Sequence, residues 1–215
     1  MSRSTLIDIG SPHRIDPLAV VGEETSRGIA DRRLVIGPHA VVRSFTVIYL
    51  GSMIGSHLET GHHVVVREEN RVGDHVSIWS NSVLDYACTI GNRVRLHTSV
   101  YVAQHTVMED DVFVGPGVTF ANDRYPVSRS LEGPVVRKGA RIGANATLLP
   151  GVEVGANALV GGGAVVTKDV PERAVVVGNP ARIIGSVDSL PAPDRDDLAS
   201  TRPEARPSTR APGKA

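Results

Sequence analysis

A chain of 215 residues with 41% hydrophobic residues has the length and composition of one good-sized globular domain. Its 23 Lys and Arg residues balance 23 Asp and Glu residues, which gives no general electrostatic reason to bind nucleic acid. No apolar run approaches the roughly 18 to 20 residues of a membrane-spanning helix, and residues 1–10 lack the layout of a signal peptide, so we expect a cytoplasmic protein. The single cysteine, Cys88, excludes an internal disulfide and a thiolate zinc site.

The chain opens with a predicted N-terminal extension, residues 1–14, ahead of a repeat domain predicted over residues 15–185. One partial turn around Ile15 and Val21 is out of phase with the later repeats, and residues 27–33 make a short insertion. From Ile36 every sixth residue is large and apolar at twenty of twenty-one sites, with Thr60 the exception, where composition alone would give about nine. The sites are Ile36, Val42, Ile48, Ile54, Thr60, Val66, Val72, Ile78, Leu84, Ile90, Leu96, Val102, Met108, Val114, Phe120, Val136, Ile142, Leu148, Val154, Val160 and Val166.

The period of six predicts a triangular coil of short strands. Glycine often follows the large residue, and a small residue often lies four places after it. We expect the large residue to fill the interior, the small residue to fit the crowded bend, and glycine to adopt backbone angles that other residues disfavour. An amphipathic helix would need apolar residues three and four apart, and an ordinary strand would need them two apart. Three such strands close one turn, so the sequence predicts an all-β solenoid.

Two later segments interrupt the repeat. Residues 121–134 shift its register and are therefore predicted to leave the coil as an external loop, the kind of segment in which function is usually located. After Gly185 the residues are mainly Pro, Arg, Asp, Ser and Ala, with hardly any large apolar side chain. A segment of this composition cannot bury enough apolar surface to fold, so residues 186–215 are predicted to form a disordered tail.

Two stretches resemble a known family: LLPGVEVGANALVGGGAVVTKDVPERAVVVGNPARIIG at residues 148–185, and FANDRYP at residues 120–126. They are similar to the hexapeptide-repeat acyltransferases, and EDDVFVGPGVTFANDRYP at residues 109–126 is most similar to members that N-acetylate aminosugars on nucleotide carriers. The resemblance covers nearly all of residues 15–185. It implies a left-handed parallel β-helix, a homotrimer with active sites between neighbouring chains, and acetyl-CoA bound along the C-terminal coils.

The C-terminal signature has a physical interpretation as a cofactor site. Gly161, Gly162 and Gly163 remove side chains from the coil surface, so that a long thin ligand can lie against the backbone, while Lys168 and Arg182 can supply positive charge to phosphates. The alternative is that these glycines serve only the corner geometry and the cations are solvated. With the resemblance, the candidate cofactor-binding residues are Gly143, Gly161, Gly162, Ala164, Lys168, Asn179, Pro180 and Arg182.

The external loop bears on the choice of acceptor. A hydroxyl acceptor needs a stronger base than an amine, and O-acyltransferases of the family commonly carry a catalytic histidine on this loop. Here the comparable position is Asp123, which favours an amine acceptor. Asn122, Asp123, Arg124 and Tyr125 are the candidate substrate-binding residues, and the alternative is that Asn122 and Asp123 merely initiate a turn.

Three of the eight histidines are candidates for the base. His97 follows an interior leucine on the level before the loop, where aminosugar acetyltransferases of this kind carry a polar residue near the acceptor amine. His62 is second, because the apolar rule fails at Thr60 and such a break can mark a substrate-facing wall. His105 is third, because it is expected one coil below the loop. Histidines three places after an interior site, such as His57, are predicted simply to face water.

The predicted function is that of a coenzyme A-dependent N-acyltransferase, most simply using acetyl-CoA, which acts on an amino group of a nucleotide-linked sugar. In this hypothesis His97 accepts the amine proton, Asn122 and Asp123 hold the acceptor, and a backbone amide of a C-terminal coil stabilises the oxyanion. The alternatives are an O-acyltransferase with His62 or His97 as its base, and a non-catalytic β-helix that binds or assembles. A three-histidine zinc site is not favoured because the histidine spacing does not suit it, so no metal is expected.

Overall fold

Each six-residue repeat folds as one short strand followed by one corner. The computed structural model describes residues 6–190, and every site of the period from Ile36 to Val166 lies in a strand. The described residues contain no helix that is both long enough and apolar enough to cross a membrane.

The strands stack into three sheets, which we call sheets A, B and C. Sheet A consists of β1 (Ile7–Ile9), β4 (Leu34–Ile36), β7 (Met53–Ile54), β10 (Arg71–Val72), β13 (Thr89–Ile90), β16 (Val107–Met108), β19 (Val135–Val136) and β22 (Glu153–Val154). Sheet B consists of β2 (Arg14–Ile15), β5 (Val41–Val42), β8 (Glu59–Thr60), β11 (Ser77–Ile78), β14 (Arg95–Leu96), β17 (Phe113–Val114), β20 (Arg141–Ile142), β23 (Leu159–Val160), β25 (Ala174–Val177) and β26 (Arg182–Ser186). Sheet C consists of β3 (Val20–Glu23), β6 (Val47–Tyr49), β9 (Val65–Val66), β12 (Val83–Leu84), β15 (Tyr101–Val102), β18 (Thr119–Phe120), β21 (Thr147–Leu148) and β24 (Val165–Val166).

From β1 to β24, consecutive strands belong to different sheets, so three strands close one turn. These strands pair in parallel within each sheet and join residues one turn apart, as where Arg71 pairs with Thr89 and Val72 with Ile90. Strands β1 to β24 therefore make eight turns among the described residues. The predicted fold class, an all-β left-handed parallel β-helix, is confirmed.

The interior is filled as the period predicts. Phe120, the bulkiest fully buried side chain, lies among Val, Ile and Leu residues of the three sheets, and the small residues at the bends, such as Ala140, are fully buried. Thr60 is also fully buried, and its hydroxyl lies 3.3 Å from the hydroxyl of Thr46 and accepts a hydrogen bond from the Arg43 amide at 3.1 Å. The break in the apolar rule is therefore a satisfied interior hydroxyl, and the expectation of a substrate-facing wall at Thr60 is wrong.

The glycines that follow interior residues have a different role from the one expected. They do not take positive φ; instead the residue two places later does, and fifteen described non-glycine residues have φ between 55° and 64°. At Gly143 an added Cβ would lie 2.5 Å from the amide nitrogen of Gly162, and at Gly61 it would lie 2.3 Å from that of Ser80. Glycine is required there because the backbone of the next coil passes too close for any side chain.

The left-handed position selects the corner residue. Asn, Asp and His tolerate positive φ better than most residues, and this position repeats once per corner. Three histidines occupy it in successive turns between sheets A and B, with ring centroids 4.6 Å apart for His39 and His57 and 4.2 Å apart for His57 and His75. These three histidines therefore face water, as predicted, and also occupy the left-handed position of the corner.

Three corners and three faces follow from this architecture. We call the outward side of each sheet its face and name the bends by the sheets they join, as the AB, BC and CA corners. In every strand of sheet C the outward residue just before the interior site is uncharged, whereas at the same position face A carries Arg71 and Glu153 and face B carries Glu59, Arg95 and Arg141. The outward residues of face C are Val20, Val47, Val65, Val83, Tyr101, Thr119, Thr147 and Val165.

The β-helix begins earlier than the sequence indicates. Ile7 pairs with Leu34 and Arg14 with Val41, so most of the predicted N-terminal extension forms the first turn. The first turn is not predicted by the six-residue period because the insertion between β3 and β4 shifts its phase relative to the later repeats. The insertion leaves the coil at the CA corner, and residues 121–134 leave it at the same corner between β18 and β19.

The C-terminal end of the β-helix is covered by a hairpin. Strand β25 pairs in parallel with β23, and β26 returns antiparallel to β25. Ser186 ends β26, a 3-10 helix spans Val187–Ser189, and Asp188 pairs with Arg173, so structure continues past the predicted start of the tail. The rest of the predicted tail, residues 191–215, lies outside the described residues.

Candidate functional site

Most of the predicted site residues lie on the two corners that border face C. His62, His97, Gly143, Gly161 and Gly162 are on the BC corner. On the CA corner are His105, the loop residues Asn122, Asp123, Arg124 and Tyr125, and Lys168. Within one chain His97 and the external loop therefore lie apart, because His97 is on the BC corner and the loop is on the CA corner.

His97 lies on the BC corner directly after β14, where its ring is half-buried. The ring leans toward face B, with its centroid 5.1 Å from that of Phe113. Burial, with a smaller effect from the charge of Arg95, lowers the pKa of His97 below the ordinary value of 6.5. The imidazole is therefore neutral at neutral pH and can accept a proton.

The BC corner loses its side chains toward the C-terminus. After His97 the corner continues through Gly115–Gly117, 143–145 and Gly161–Gly163 in the next three turns. Three strand spacings separate His97 from Gly161, or about 14 Å along the β-helix. A long ligand that follows this corner would meet backbone at one end and an imidazole at the other.

Backbone amides become available on the same stretch. Two places after most interior residues the amide has no backbone partner. On earlier turns a side chain from the next turn often accepts it: Asp74 accepts from the Ser56 amide at 2.6 Å, and Ser80 from the His62 amide at 3.0 Å. Ala144 and Gly162 occupy this position later on the BC corner, and their amides donate no hydrogen bond to any other residue within 6–190. Such donors suit the carbonyl groups or developing oxyanion of a ligand.

The CA corner anchors both ends of the external loop. Ala121 donates its amide to Leu148 at 2.9 Å, and the Glu132 amide donates to the Asn122 carbonyl at 2.8 Å. At Gly133 an added Cβ would lie 2.3 Å from the Thr106 amide nitrogen, so the returning chain presses against the turn below. His105 lies on that turn, one coil below the loop as predicted, exposed and edge-on to Tyr86 at 5.8 Å between ring centroids.

Asp123 organises the loop itself. One carboxylate oxygen accepts the Tyr125 amide at 3.0 Å and the other accepts the Ser128 amide at 2.8 Å. The bond from Ser128 lowers the pKa of Asp123, so the carboxylate is charged and already engaged. These two contacts are those of the turn-forming alternative, and the predicted role of Asp123 in holding the acceptor stays a prediction.

A cluster of buried carboxylates on the CA corner was missed by sequence reasoning. Glu68 is fully buried and accepts hydrogen bonds from Arg67 at 2.9 Å, Arg27 at 3.0 Å and Thr25 at 3.1 Å. Burial alone would raise the pKa of Glu68, but the bonds from Arg67 and Arg27 lower it to about 2. Its sequence signal is Arg67, which stands directly after an interior residue at a place where other repeats often have glycine, followed by Glu68.

The N-terminal insertion is fastened to this cluster. The Arg27 guanidinium lies 3.5 Å from the centroid of the Tyr86 ring and pairs with Glu68 and Glu69, each at 3.0 Å. Asp85, one turn above, is also buried and lies 3.5 Å from Arg67. The insertion and the external loop thus share one corner and are joined by a charged cluster between them.

The other predicted residues on these corners make few side-chain contacts or are buried. His62 is exposed, two turns before His97 on the BC corner, with its Nδ1 2.8 Å from the Ser44 hydroxyl. Ala164 is fully buried, so its side chain packs inside the bend and cannot touch a cofactor. Arg124 donates to the Pro150 carbonyl at 3.1 Å, and Tyr125 is exposed.

The cofactor candidates beyond the glycines are dispersed. Asn179 and Pro180 lie exposed in the connection between β25 and β26, and Arg182 donates to the Ala181 carbonyl at 2.8 Å. The Ala181 amide donates to Val165 at 2.8 Å, which holds this connection against the last strand of sheet C. Lys168 is exposed on the CA corner, away from the glycines. Within residues 6–190 no group of three or more His, Cys, Asp or Glu side chains is arranged to hold a metal ion.

The period, the three sheets and the corner chemistry define a hexapeptide-repeat β-helix protein. The family model "Bacterial transferase hexapeptide (six repeats)" matches residues 133–168, and the repeat family predicted from the sequence is confirmed. Serine acetyltransferase of Escherichia coli (strain K12) is 36% identical over 119 residues, which cover 51% of this chain and 41% of that protein. The bifunctional protein GlmU of Carboxydothermus hydrogenoformans is 29% identical over 195 residues, which cover 79% of this chain and 42% of that protein.

One solved structure illustrates the likeness in three dimensions. A mutant of GDP-perosamine N-acetyl transferase from Caulobacter crescentus, in complex with CoA and GDP-perosamine, has a TM-score of 0.47 and 25% sequence identity. The match covers 64% of this chain and 58% of that chain. This chain spans less than half the length of the two curated relatives named above.

Proposed function

We propose that the protein is a coenzyme A-dependent acyltransferase that uses acetyl-CoA. The observation that carries the proposal is the BC corner, where a half-buried neutral imidazole at His97 precedes three turns rich in glycine, with six glycines among residues 115–117, 143–145 and 161–163. The pantetheine arm is long, narrow and rich in amide groups, which suits the free amides of Ala144 and Gly162. The serine acetyltransferase and aminosugar acetyltransferase relatives support the same chemistry.

The acceptor that we propose is an amino group on a nucleotide-linked sugar. The neutral amine attacks the thioester carbonyl, the new carbon–nitrogen bond forms, the carbon–sulfur bond breaks, and His97 passes the amine proton to the departing thiolate. A backbone amide of the BC corner stabilises the oxyanion. The support for an amine is the loop, where Asp123 occupies the place in which O-acyltransferases commonly carry a histidine.

A second candidate is O-acylation of a small hydroxyl acceptor. It is favoured by the serine acetyltransferase relatives and by the neutral imidazole of His97, which is a sufficient base for a hydroxyl group. An acetylation assay with a nucleotide-linked aminosugar, the matching hydroxy sugar and L-serine separates the two, since only one class of acceptor should release free coenzyme A at an appreciable rate. Calorimetry with coenzyme A separates either enzyme from a non-catalytic β-helix.

We also propose a homotrimer in which face C points toward the threefold axis. An uncharged column of valines, threonines and one tyrosine suits burial, and three triangular rods arranged in this way bring the BC corner of one chain beside the CA corner of the next. His97 of one chain would then lie near the external loop of its neighbour. Light scattering should give three times the chain mass, and a stable monomer at working concentration would contradict the arrangement.

A further inference from the structure

The CA corner contains a chain of side-chain hydrogen bonds that leads to the external loop. Asp85, Gln104 and Asn122 occupy this corner in three successive turns. The Gln104 side-chain amide donates to Oδ2 of Asp85, and Nδ2 of Asn122 donates to Oε1 of Gln104 and, at 3.3 Å, to the Gln104 carbonyl. The three polar groups form one continuous line from a buried carboxylate to the base of the loop.

Asp85 is held firmly at the buried end of this line. Its Oδ1 accepts the Tyr86 amide at 2.9 Å, and its Oδ2 also accepts the Tyr101 hydroxyl at 3.0 Å. Burial, together with the nearby Asp85 charge, raises the pKa of Tyr101 to about 12, so that the phenol remains a donor. The carboxylate therefore has several donors and lies below the surface.

The chemistry of these groups fixes their order. An ionised carboxylate can only accept, so Gln104 must turn its NH2 group toward Asp85 and its oxygen toward Asn122. That oxygen can only accept, so Asn122 must turn its NH2 group inward and its Oδ1 outward. The orientation of both amides thus follows from one carboxylate and does not depend on how amide atoms were assigned.

The outward oxygen of Asn122 is free and accessible. Within residues 6–190 it accepts no hydrogen bond, and no buried side-chain polar atom in that range lacks a partner, so the oxygen is not buried. The backbone of Asn122 is fixed as well, because its carbonyl accepts the Glu132 amide at 2.8 Å. The corner therefore presents a rigid hydrogen-bond acceptor beside the loop.

We propose that Asp85 is a positioning residue that, through Gln104, fixes the Asn122 amide so that its Oδ1 accepts a hydrogen bond from an amine or hydroxyl group of the acceptor substrate. The inference rests on the proposed acyltransferase function. It assigns the acceptor-binding role to the oxygen of Asn122 and leaves Asp123 to shape the loop. A group without a donor hydrogen would be disfavoured at this place.

The test exchanges hydrogen-bond donors and acceptors among Asp85, Gln104 and Asn122 with isosteric substitutions. Asp85→Asn can donate as well as accept, so Gln104 and Asn122 lose their fixed order, and we expect acceptor KM to rise about tenfold with a smaller loss of kcat and unchanged coenzyme A affinity. The double variant Asp85→Asn with Gln104→Glu places a carboxylate next to Asn122 again and should restore acceptor KM. Asp74→Asn, which alters a carboxylate ladder on the AB corner, is the matched control and should leave KM unchanged.

A second readout does not depend on activity. In nitrogen-labelled protein the Asn122 side-chain NH2 should exchange slowly with solvent in the wild type and the double variant, and faster in Asp85→Asn. Wild-type exchange and wild-type KM in Asp85→Asn would overturn the proposal, as would failure of the double variant to recover either property while it remains folded. If no acceptor is acylated yet the exchange pattern holds, the acyltransferase proposal fails and the orienting role of Asp85 stands.

Discussion

The two corners that border face C are built from opposite kinds of residue. On the BC corner the side chains become smaller from the neutral imidazole of His97 to the three glycines at Gly161–Gly163, with Pro116 and Asn145 between them. On the CA corner the side chains are charged or amide-bearing and tied together, from the buried Glu68 through Asp85 to the loop. Under our proposal the two corners have different roles, in which the BC corner holds a long ligand by its backbone and the CA corner orients a polar acceptor.

The largest effect is expected at the base on the BC corner. His97→Asn should lower kcat by about 10²-fold or more, the usual worth of general base catalysis, while coenzyme A affinity hardly changes. Because burial lowers the pKa of His97, wild-type kcat should stay level at neutral pH and fall only below the ordinary value of 6.5, and the variant should lose this acid limb. Steady-state kinetics across pH checks both.

Two other histidines serve as controls for that prediction. His62→Asn alters the same corner two turns earlier, and His105→Asn alters the CA corner, so each should retain near-wild-type kcat. Severe loss in either control with little change in His97→Asn would identify a different base.

The next effect concerns stability on the CA corner. Glu68→Gln removes a buried carboxylate that accepts from two arginines and should lower the free energy of unfolding by about 2 kcal/mol at neutral pH. The folded pKa is about 2 and the ordinary value is 4.5, so this stabilisation is complete above 4.5 and disappears as the pH falls toward 2. Urea unfolding at several pH values measures the difference.

The neighbouring carboxylate provides the matched comparison. Glu69 is more exposed, and among residues 6–190 its one ion pair is with Arg27, so Glu69→Gln should cost less than about 1 kcal/mol, the worth of a surface ion pair. Equal losses in the two variants would show that burial of Glu68 has no special role.

A smaller effect should be confined to cofactor binding. Gly162→Val covers a free amide on the BC corner, and the nearest atom to its added Cβ is 3.2 Å away, so the fold should survive. We expect coenzyme A affinity to fall about tenfold, the worth of roughly 1.4 kcal/mol, as measured by calorimetry. Gly28→Val, at a glycine with open space around it, should leave affinity unchanged.

The smallest effect is expected at the AB corner, which lies opposite face C. His57→Asn keeps a residue that tolerates the left-handed backbone and removes one ring of the stack. Melting temperature and kcat should remain close to wild type, since surface substitutions of this kind are usually within about 0.5 kcal/mol. A large loss of kcat would place function on a corner to which we assign none.

The fold could be predicted because a six-residue period places one large side chain in the interior at every strand. All the interior sites that the period predicts are buried in strands of the structure. Ile7 and Arg14 were missed because an insertion of variable length hides the phase of the first turn. The site was harder to predict: the sequence places His97 on the level before the external loop, but it does not show that the two lie on different corners of one chain. Contacts between turns, such as Arg27 with Glu68, join residues far apart in sequence and leave no local pattern.

The central claim is that one site combines the BC corner of one chain with the CA corner of the next, and subunit mixing tests it directly. At an acceptor concentration well below the wild-type KM, pure assemblies of His97→Asn and of Asn122→Ala should each be much less active than the wild type. Unfolded together and reassembled in equal amounts, they should recover about one quarter of the wild-type rate under the same conditions, because each mixed trimer regains one intact site of three. Recovery to that level would support the shared site, and mixed assemblies that stay as inactive as the parents would contradict it.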